Sequence, residues 1–205
     1  MAKLFFLLSG EHETLPFSEL RSILEVEGYT YRILEKLDQV LRVKADLNCV
    51  EAVKRRAALT RTCCLELFSC KAETSEILKT MRFTSLSGIL RDRESFAVRV
   101  KRVKNYAADV NGMLLERKIG ELMLGKVEKA RVNLKNPDKT FIGILTNERF
   151  VFGLKLAEIK PKPFVERRPR KKPFFHPSAM PPKLARCMVN LAKPKTGELV
   201  FDPFC

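Results

Sequence analysis

A chain of 205 residues, 45% of them hydrophobic, can form one or two globular domains, and its longest apolar runs, such as residues 4–8, are far too short to span a bilayer. The formal charge of +15 lies entirely in residues 81–205, because residues 1–80 carry 12 basic and 12 acidic side chains. This asymmetry favours a polyanionic partner for the second half, most commonly nucleic acid, over a basic surface that binds nothing in particular.

Residues 1–70 alternate between strand-like and helical patterns. The predicted elements are a strand at 3–9, a helix at 17–28, a hairpin of strands at 29–37 and 39–45, a helix at 47–59 and a strand at 62–69. We expect Gly28 to end the first helix and Asp46 to cap the second. The order β-α-β-β-α-β is that of a ferredoxin-like unit.

The middle of the chain continues with a second mixed pattern. The predicted elements are a helix at 74–81, a short helical segment at 87–90, a strand at 95–103, a helix at 110–124 capped by Asp109 with Leu115, Ile119 and Leu122 inward, and strands within 130–156 separated by turns at 136–138 and 147–149. In the strand at 95–103, Phe96, Val98 and Val100 alternate with Arg99 and Lys101. This alternation predicts a half-buried strand with a cationic outer face.

Residues 160–173 are rich in proline and basic residues and lack a periodic apolar face, so they predict a linker with extended tendency. Phe174 and Phe175 are interpreted as anchors of this linker. A helix at 183–192 is expected to start at Pro182 and to place Leu184, Met188 and Leu191 on one apolar face. The run "ELVFDPF" at 198–204 predicts a final strand.

The cysteines and histidines do not form a metal-binding pattern. Cys63, Cys64 and Cys70 contain no C-x-x-C pair, and His12 and His176 are isolated. We therefore expect no structural metal, and cysteines that act as small hydrophobic residues.

The pieces "FAVRVKRVK", "LERKIGELM", "RVNLKNPDKTFIGIL" and "FVFGLKL", within residues 95–156, resemble the THUMP domain, an RNA-binding module of thiouridine synthases, RNA methyltransferases and pseudouridine synthases. The tail, "FFHPSAMPPKLARCMVNLA" followed by "GELVFDPFC", resembles the opening of the catalytic domain of the tRNA guanine-N2 methyltransferases that act on guanosine 10. In that family, "DPFC" begins the first S-adenosylmethionine motif.

The resemblance implies an α/β (α+β) fold. It consists of a ferredoxin-like domain at 1–70, a THUMP domain at 71–157, a basic linker at 158–175 and the first helix and strand of an incomplete Rossmann-like methyltransferase domain at 176–205. It implies tRNA, held at its acceptor end, as the partner, and S-adenosylmethionine as the cofactor of the full-length protein. Because the family's glycine loop and target-amine motif are absent, we expect an N-terminal fragment that is inactive alone. We expect a cytoplasmic location, since no secretory pattern follows Lys3. We also expect a monomer.

Two sets of site residues follow, and no catalytic residue is predicted within the chain. The residues predicted to contact RNA are Arg99, Lys101, Arg102, Lys104, Lys118, Lys135, Lys139, Arg167, Arg168, Arg170, Lys171 and Lys172. The residues that the resemblance places at the border of the cofactor pocket are Phe175, His176, Pro177, Ser178, Asp202, Pro203 and Phe204. Asn133 and Asn136 are interpreted as turn residues. The alternatives are a stand-alone RNA-binding adaptor, the THUMP part of another RNA-modifying enzyme, and a structural basic protein.

Overall fold

The computed structural model describes residues 1–171, 173–174, 176 and 179–201. Its first part folds in the predicted order, β-α-β-β-α-β. The elements are β1 (Ala2–Leu8), α1 (Leu15–Val26), β2 (Tyr31–Leu37), β3 (Val40–Ala45), α2 (Cys49–Arg56) and β4 (Thr60–Lys71). β1 lies antiparallel between β3 and β4, and β2 pairs with the outer edge of β3. The ferredoxin-like arrangement is therefore confirmed.

The second part adds two helices and four strands. They are α3 (Thr74–Phe83), β5 (Ser95–Arg102), α4 (Gly112–Leu124), β6 (Arg131–Val132), β7 (Lys139–Thr146) and β8 (Arg149–Glu158). β5 runs parallel to β7 and to the short β6, whereas β7 and β8 form an antiparallel hairpin. Asn147 and Glu148 turn this hairpin with positive φ angles of 43° and 57°, as a two-residue hairpin turn requires.

All strands belong to one eight-stranded sheet in the order β2-β3-β1-β4-β8-β7-β5-β6. β4 joins the two parts because it pairs with β1 on one side and with β8 on the other, the latter from Thr62 to Lys71. The two parts of the chain therefore share one hydrogen-bonded sheet, and the mixed α/β class predicted from the sequence is confirmed.

The four helices α1 to α4 pack on the same face of this sheet. Leu4 and Phe6 of β1 contact the buried side chains of α1 and α2, while Phe96 and Phe141 contribute to a second cluster with α3 and α4. Phe5 lies between Leu4 and Phe6 and points to the opposite face, where its cluster contains no residue of a helix. Among the described residues, Val103 and Tyr106 of the loop after β5 pack on this second face.

The ends of the helices agree only in part with the prediction. Gly28, at φ +74°, follows the end of α1, and the N–H of Tyr29 donates to the carbonyl of Leu24 at 2.9 Å, so the predicted glycine stop is confirmed. Asp46 does not cap α2: its Oδ1 accepts from the N–H of Asn48 at 2.8 Å in the turn before the helix. Asp109 is not a cap either.

The cap of α4 is Asn111, whose Oδ1 accepts from the N–H of Leu114 at 3.0 Å. Asp46 satisfies a turn in place of a helix end, and Asn111, two residues after Asp109, is an equally suitable cap, so sequence spacing alone does not identify the cap in either case. On α4, Leu115 and Ile119 are buried as predicted, but Met123 completes the buried stripe, while Leu122 is half-buried.

Three further predictions are wrong. Residues 87–90 form a turn rather than a helical segment, with the N–H of Leu90 donating to the carbonyl of Leu86 at 3.1 Å. The predicted linker contains α5 (Lys162–Glu166) and a single 3₁₀ turn at Pro169–Lys171. Within the described part of the predicted final strand, residues 198–201 form no strand, and Leu199 is 95% exposed.

The last helix, α6 (Pro182–Ala192), forms where predicted but buries a different face. Cys187 and Asn190 are buried, and Leu191 is half-buried against the cluster of Phe164 and Cys187, whereas Leu184 and Met188 are exposed. The apolar periodicity of the sequence therefore located the helix correctly but identified its contact face only at Leu191.

Candidate nucleic-acid interface

The cations predicted to contact RNA lie at three places in the described structure. Those on or just after β5 are Arg99, Lys101, Arg102 and Lys104; those around α4 and β7 are Lys118, Lys135 and Lys139; those in the linker are Arg167, Arg168, Arg170 and Lys171. Lys172 lies outside the described residues. The predicted set is therefore distributed over the second half and does not form one continuous stripe.

Two of these cations, Arg102 and Lys104, contact other residues of the protein. The guanidinium of Arg102 donates to the carbonyl oxygens of Tyr106, Ala107 and Val110, so it organises the segment that follows β5. Lys104 forms an ion pair with Asp38 at 2.6 Å, and this hydrogen bond raises the pKa of Lys104. Their positions favour a structural role for Arg102, while Lys104 remains exposed to solvent.

Arg99 lies at the edge of the sheet beside α4. Its Nη2 donates to the carbonyl of Leu134 at 2.7 Å and its Nη1 to the carbonyl of Val98 at 3.3 Å. On the same edge, Glu116 of α4 accepts from the N–H of Val100 at 2.7 Å. These side chains occupy hydrogen-bonding groups that an edge strand would otherwise present to another chain.

A groove of about 580 Å³ opens beside this edge, between α4, β5 and β6. Its wall includes Arg99 and several exposed apolar side chains, among them Met113 at 80% and Leu134 at 60% exposure. Sequence analysis did not single out these apolar residues. Met113 and Leu114 fall outside the buried stripe of α4, and that offset was the available signal.

Lys101 lines a different cavity from Arg99, although only Val100 lies between them on the same strand. Lys101 is exposed and lines a small cavity together with Arg61, Lys160 and Lys183. Arg99 and Lys101, which were interpreted as one contact surface, therefore line two neighbouring cavities. Arg61, Lys160 and Lys183 were not predicted as site residues, because they come from separate parts of the chain.

The cations around α4 and β7 are ordinary surface residues. Lys135 is exposed and Lys118 and Lys139 are half-buried.

Asn133 organises the turn before β7: its Oδ1 accepts from the N–H of Asn136 at 3.1 Å, and its Nδ2 donates to the carbonyl of Asn136 at 2.8 Å. The interpretation of these two asparagines as turn residues is confirmed.

The linker is folded against the first part of the protein. Phe164 of α5 is only 6% exposed and packs with Ala58, Leu59 and Cys187. The guanidinium of Arg167 lies 5.2 Å from the centre of the Phe164 ring, and that of Arg186 lies 5.6 Å from it. Phe174 is 93% exposed, so its predicted anchoring role is wrong. Phe164 provides that anchor.

A buried polar pair fixes α6 to α1. Glu19 of α1 is fully buried, and its carboxylate accepts from the N–H groups of Ala58 at 3.0 Å and Leu59 at 2.8 Å and from Asn190 Nδ2 at 2.8 Å. The same Nδ2 of Asn190 donates to the carbonyl of Arg56 at 3.0 Å. Burial raises the pKa of Glu19, while these hydrogen bonds oppose the shift.

Ion pairs support both ends of this contact, between Lys183 and Glu11 and between Lys193 and Glu25. The contact joins the start of the chain to the residues that follow the linker. It places α6 at a fixed position relative to the ferredoxin-like unit.

The residues predicted to border the cofactor pocket contribute little to the described structure. Phe175, Pro177, Ser178, Asp202, Pro203 and Phe204 lie outside the described residues. His176 is described and exposed, and its carbonyl accepts from the N–H of Ala179 at 3.0 Å.

The described cysteines are mostly buried. Burial raises the pKa of Cys49 and of Cys187 to about 11, so both are protonated thiols near neutral pH.

Within the described ranges, no group of three His, Cys, Asp or Glu side chains is placed to hold a metal ion. None of the helices described is long and apolar enough to cross a membrane.

Comparison with protein-family models matches residues 72–154 to the THUMP domain and residues 169–205 to the family described as RMKL-like, methyltransferase domain. The tRNA (guanine(10)-N2)-dimethyltransferase of Methanothermobacter thermautotrophicus is 34% identical over 210 residues, which cover 99% of this chain and 58% of the relative. The protein of the same name from Methanocaldococcus jannaschii is 29% identical over 215 residues, covering 98% of this chain and 60% of the relative. The chain thus spans 58% to 60% of the length of these curated relatives.

Solved structures share the fold. A protein described as a predicted N6-adenine-specific DNA methylase from Listeria monocytogenes matches with a TM-score of 0.60 at 10% identity, over 92% of this chain and 47% of that chain. TrmN from Thermus thermophilus matches with a TM-score of 0.52 at 18% identity, over 77% of this chain and 46% of its own. A 4-thiouridine synthetase in complex with RNA and ATP gives 0.51 at 14% identity, over 75% and 41%. These identities establish likeness of fold alone.

Proposed function

We propose that this chain, in which a THUMP domain is followed by the first part of an RMKL-like methyltransferase domain, is the tRNA-binding portion of an S-adenosylmethionine-dependent tRNA guanine-N2 methyltransferase. It positions the acceptor end of tRNA so that guanosine 10 reaches the catalytic domain. The observation that carries the proposal is the similarity to two tRNA (guanine(10)-N2)-dimethyltransferases over nearly the whole chain.

The charge distribution supports the RNA-binding part of the proposal. The net charge of +15 belongs to residues 81–205, which contain most of the THUMP match and the whole linker. Exposed Lys101, Lys135 and Arg170 lie in this region and can approach phosphate groups without loss of a buried contact. Attraction of this kind supplies affinity through counterion release and falls as salt rises.

The docking of α6 supports a positioning role. A helix inside the methyltransferase match is held to α1 through the buried Glu19–Asn190 pair. Any catalytic domain that continues from α6 therefore keeps a set distance from the RNA-binding unit. Such a fixed distance lets a protein select one nucleotide of a folded RNA, because proximity and orientation determine which atom reaches the reactive centre.

S-adenosylmethionine is the proposed cofactor of the complete enzyme, to which it supplies the methyl group. The residues proposed to border it are the predicted set around His176 and Asp202 to Phe204, nearly all of them outside the described residues. The role proposed for the present chain is confined to binding and orienting the RNA, in a cytoplasmic monomer without structural metal.

The alternative of another RNA-modifying enzyme is less well supported, because the match at residues 169–205 is to a methyltransferase domain. The stand-alone adaptor remains the alternative that experiment must separate from the proposed enzyme.

The test is to incubate the complete gene product with labelled S-adenosylmethionine and unmodified tRNA, and to map the methylated nucleotide by mass spectrometry of nuclease fragments. Methylation at N2 of guanosine 10 is expected. Transfer to a different base, or no transfer by a product that binds tRNA, would exclude the proposed enzyme and favour respectively another modifying enzyme or an adaptor.

A further inference from the structure

The small cavity beside Lys101 lies where four segments of the chain meet. It has a volume of about 240 Å³ and is bounded by the start of β4, the end of β5, the end of β8 and the linker with α6. This volume is below the range of about 300–1,000 Å³ that is usual for pockets that bind drug-sized molecules. A site of this size suits a single small polar group.

The cavity is lined by an excess of cations. Lys183 is paired with Glu11, and Glu158 is paired at 3.0 Å with Lys155, which does not line the cavity. Arg61, Lys101 and Lys160 also line it, and each has its side chain exposed without a carboxylate partner among the ion pairs of the described residues. The lining therefore holds four cations and two carboxylates, an excess of two positive charges.

The carboxylates at the rim report this positive field. The hydrogen bond from Lys183 lowers the pKa of Glu11, and the charge of Arg61 lowers it further. The hydrogen bond from Lys155 lowers the pKa of Glu158, and the charges of Lys101 and Lys160 act in the same direction. An anion in the cavity would experience the same attraction.

Thr60 supplies an independent observation. It is only 1% exposed and lines the cavity, and its Oγ1 has no hydrogen-bond partner among the described residues. A buried hydroxyl without a partner is unfavourable, and native structures rarely keep one without a ligand or a bound water. An oxygen of an anion within the cavity would accept this hydrogen bond.

We propose that this cavity binds a phosphate group, which accepts a hydrogen bond from Thr60 Oγ1 and is neutralised by Arg61, Lys101 and Lys160. The phosphate belongs to the backbone of the bound tRNA, an identification that rests on the proposed function. Because the cavity lies between the shared sheet and α6, the bound phosphate fixes the RNA relative to both. It thereby sets the register from which the target nucleotide is measured.

The test compares three variants of the complete 205-residue chain with the parent protein. Thr60→Val keeps the shape of the side chain and removes the donor; Thr60→Ser restores the donor; Lys101→Gln removes one charge. Lys44→Gln is the matched control, since Lys44 is an exposed lysine of β3 outside the cavity. Affinity for tRNA is measured by fluorescence anisotropy at several salt concentrations, and thermal unfolding is followed with and without inorganic phosphate.

We expect Thr60→Val to weaken tRNA binding by roughly tenfold, as loss of a hydrogen bond to a charged group does, without a change in the salt dependence. Thr60→Ser should bind like the parent. Lys101→Gln should weaken binding and reduce the slope of log affinity against log salt by about 0.7 to 0.9, whereas Lys44→Gln should alter neither. Thr60→Val should not lower the melting temperature, because it removes an unsatisfied buried hydroxyl; a purely structural threonine would lower it.

The outcomes separate this proposal from the proposed function. If the parent prefers tRNA and neither Thr60→Val nor Lys101→Gln weakens binding, the cavity is not a phosphate site and the proposed function stands. If the parent shows no preference for tRNA but phosphate raises its melting temperature and not that of Thr60→Val, the cavity takes phosphate from another source and the proposed function fails. Should Thr60→Val not fold, the comparison of Lys101→Gln with Lys44→Gln decides.

Discussion

Replacement of Asn190 by alanine tests the attachment of α6 to the rest of the protein. Asn190 is 3% exposed and donates from Nδ2 to the carboxylate of Glu19 at 2.8 Å and to the carbonyl of Arg56 at 3.0 Å. A hydrogen bond to a charged group contributes about 1.5–3 kcal/mol and a neutral one about 0.5–1.5 kcal/mol. Asn190→Ala should therefore weaken the docking of α6 by about 2–4 kcal/mol.

Hydrogen exchange measures this loss directly, because α6 can open without global unfolding. A loss of about 2 kcal/mol corresponds to exchange roughly 30-fold faster for the protected amides of α6, and each further loss of about 1.4 kcal/mol speeds exchange another tenfold. Met188→Ala is the matched control on the same helix, since Met188 is 49% exposed and should leave exchange nearly unchanged. Equal exchange in Asn190→Ala and the parent would refute the assignment of this pair as the attachment of α6.

Four further predictions use other parts of the structure. Arg102→Met leaves three carbonyl oxygens of residues 106–110 without their donor, so it should lower the urea midpoint far more than Lys104→Met, which breaks an exposed ion pair; equal effects would contradict the structural role of Arg102. Burial raises the pKa of Glu19, so the contribution of this side chain to stability is fully present below the ordinary value of 4.5 and is lost as the pH rises through the raised value. The free energy of unfolding of the parent, relative to Glu19→Gln, should therefore increase as the pH falls toward 4.5. A difference between the two proteins that does not depend on pH would disprove this. A chain that starts at Ala72 should be unfolded by circular dichroism, because β8 loses its partner β4; a cooperative unfolding transition would show that the shared sheet is dispensable. The 205-residue chain alone should transfer no label from S-adenosylmethionine to unmodified tRNA, and clear turnover at guanine would overturn that expectation.

The strands and most helices could be predicted because their signals are local. Leu4 and Phe6 alternate with Phe5, and Leu115 and Ile119 recur at helical spacing, so the pattern of each segment contains its own secondary structure. The face of α6 could not be predicted in this way. Its buried contact combines Cys187, packed against Phe164, with the polar pair of Asn190 and Glu19, and hydrophobic periodicity carries no information about a buried hydrogen bond.

The site was predictable only in its charge. The excess of cations in residues 81–205 is visible in composition, but the roles of neighbouring cations are not. Lys101 and Arg102 are adjacent, yet Lys101 lines a cavity, whereas Arg102 donates to three carbonyls of the loop after β5. The cavity itself joins Thr60, Lys160 and Lys183, whose proximity arises only from the fold.

Recognition of tRNA, as distinct from attraction to RNA in general, is the central claim. The most direct measurement is the affinity of the 205-residue chain for intact tRNA, for tRNA trimmed at its 3′ end and for an unstructured RNA of equal length, each between about 50 and 200 mM salt. All three affinities should fall as salt rises, and intact tRNA should bind most tightly at every concentration. Equal affinity for the three RNAs at matched salt would contradict the account and would leave a basic protein without preference for tRNA.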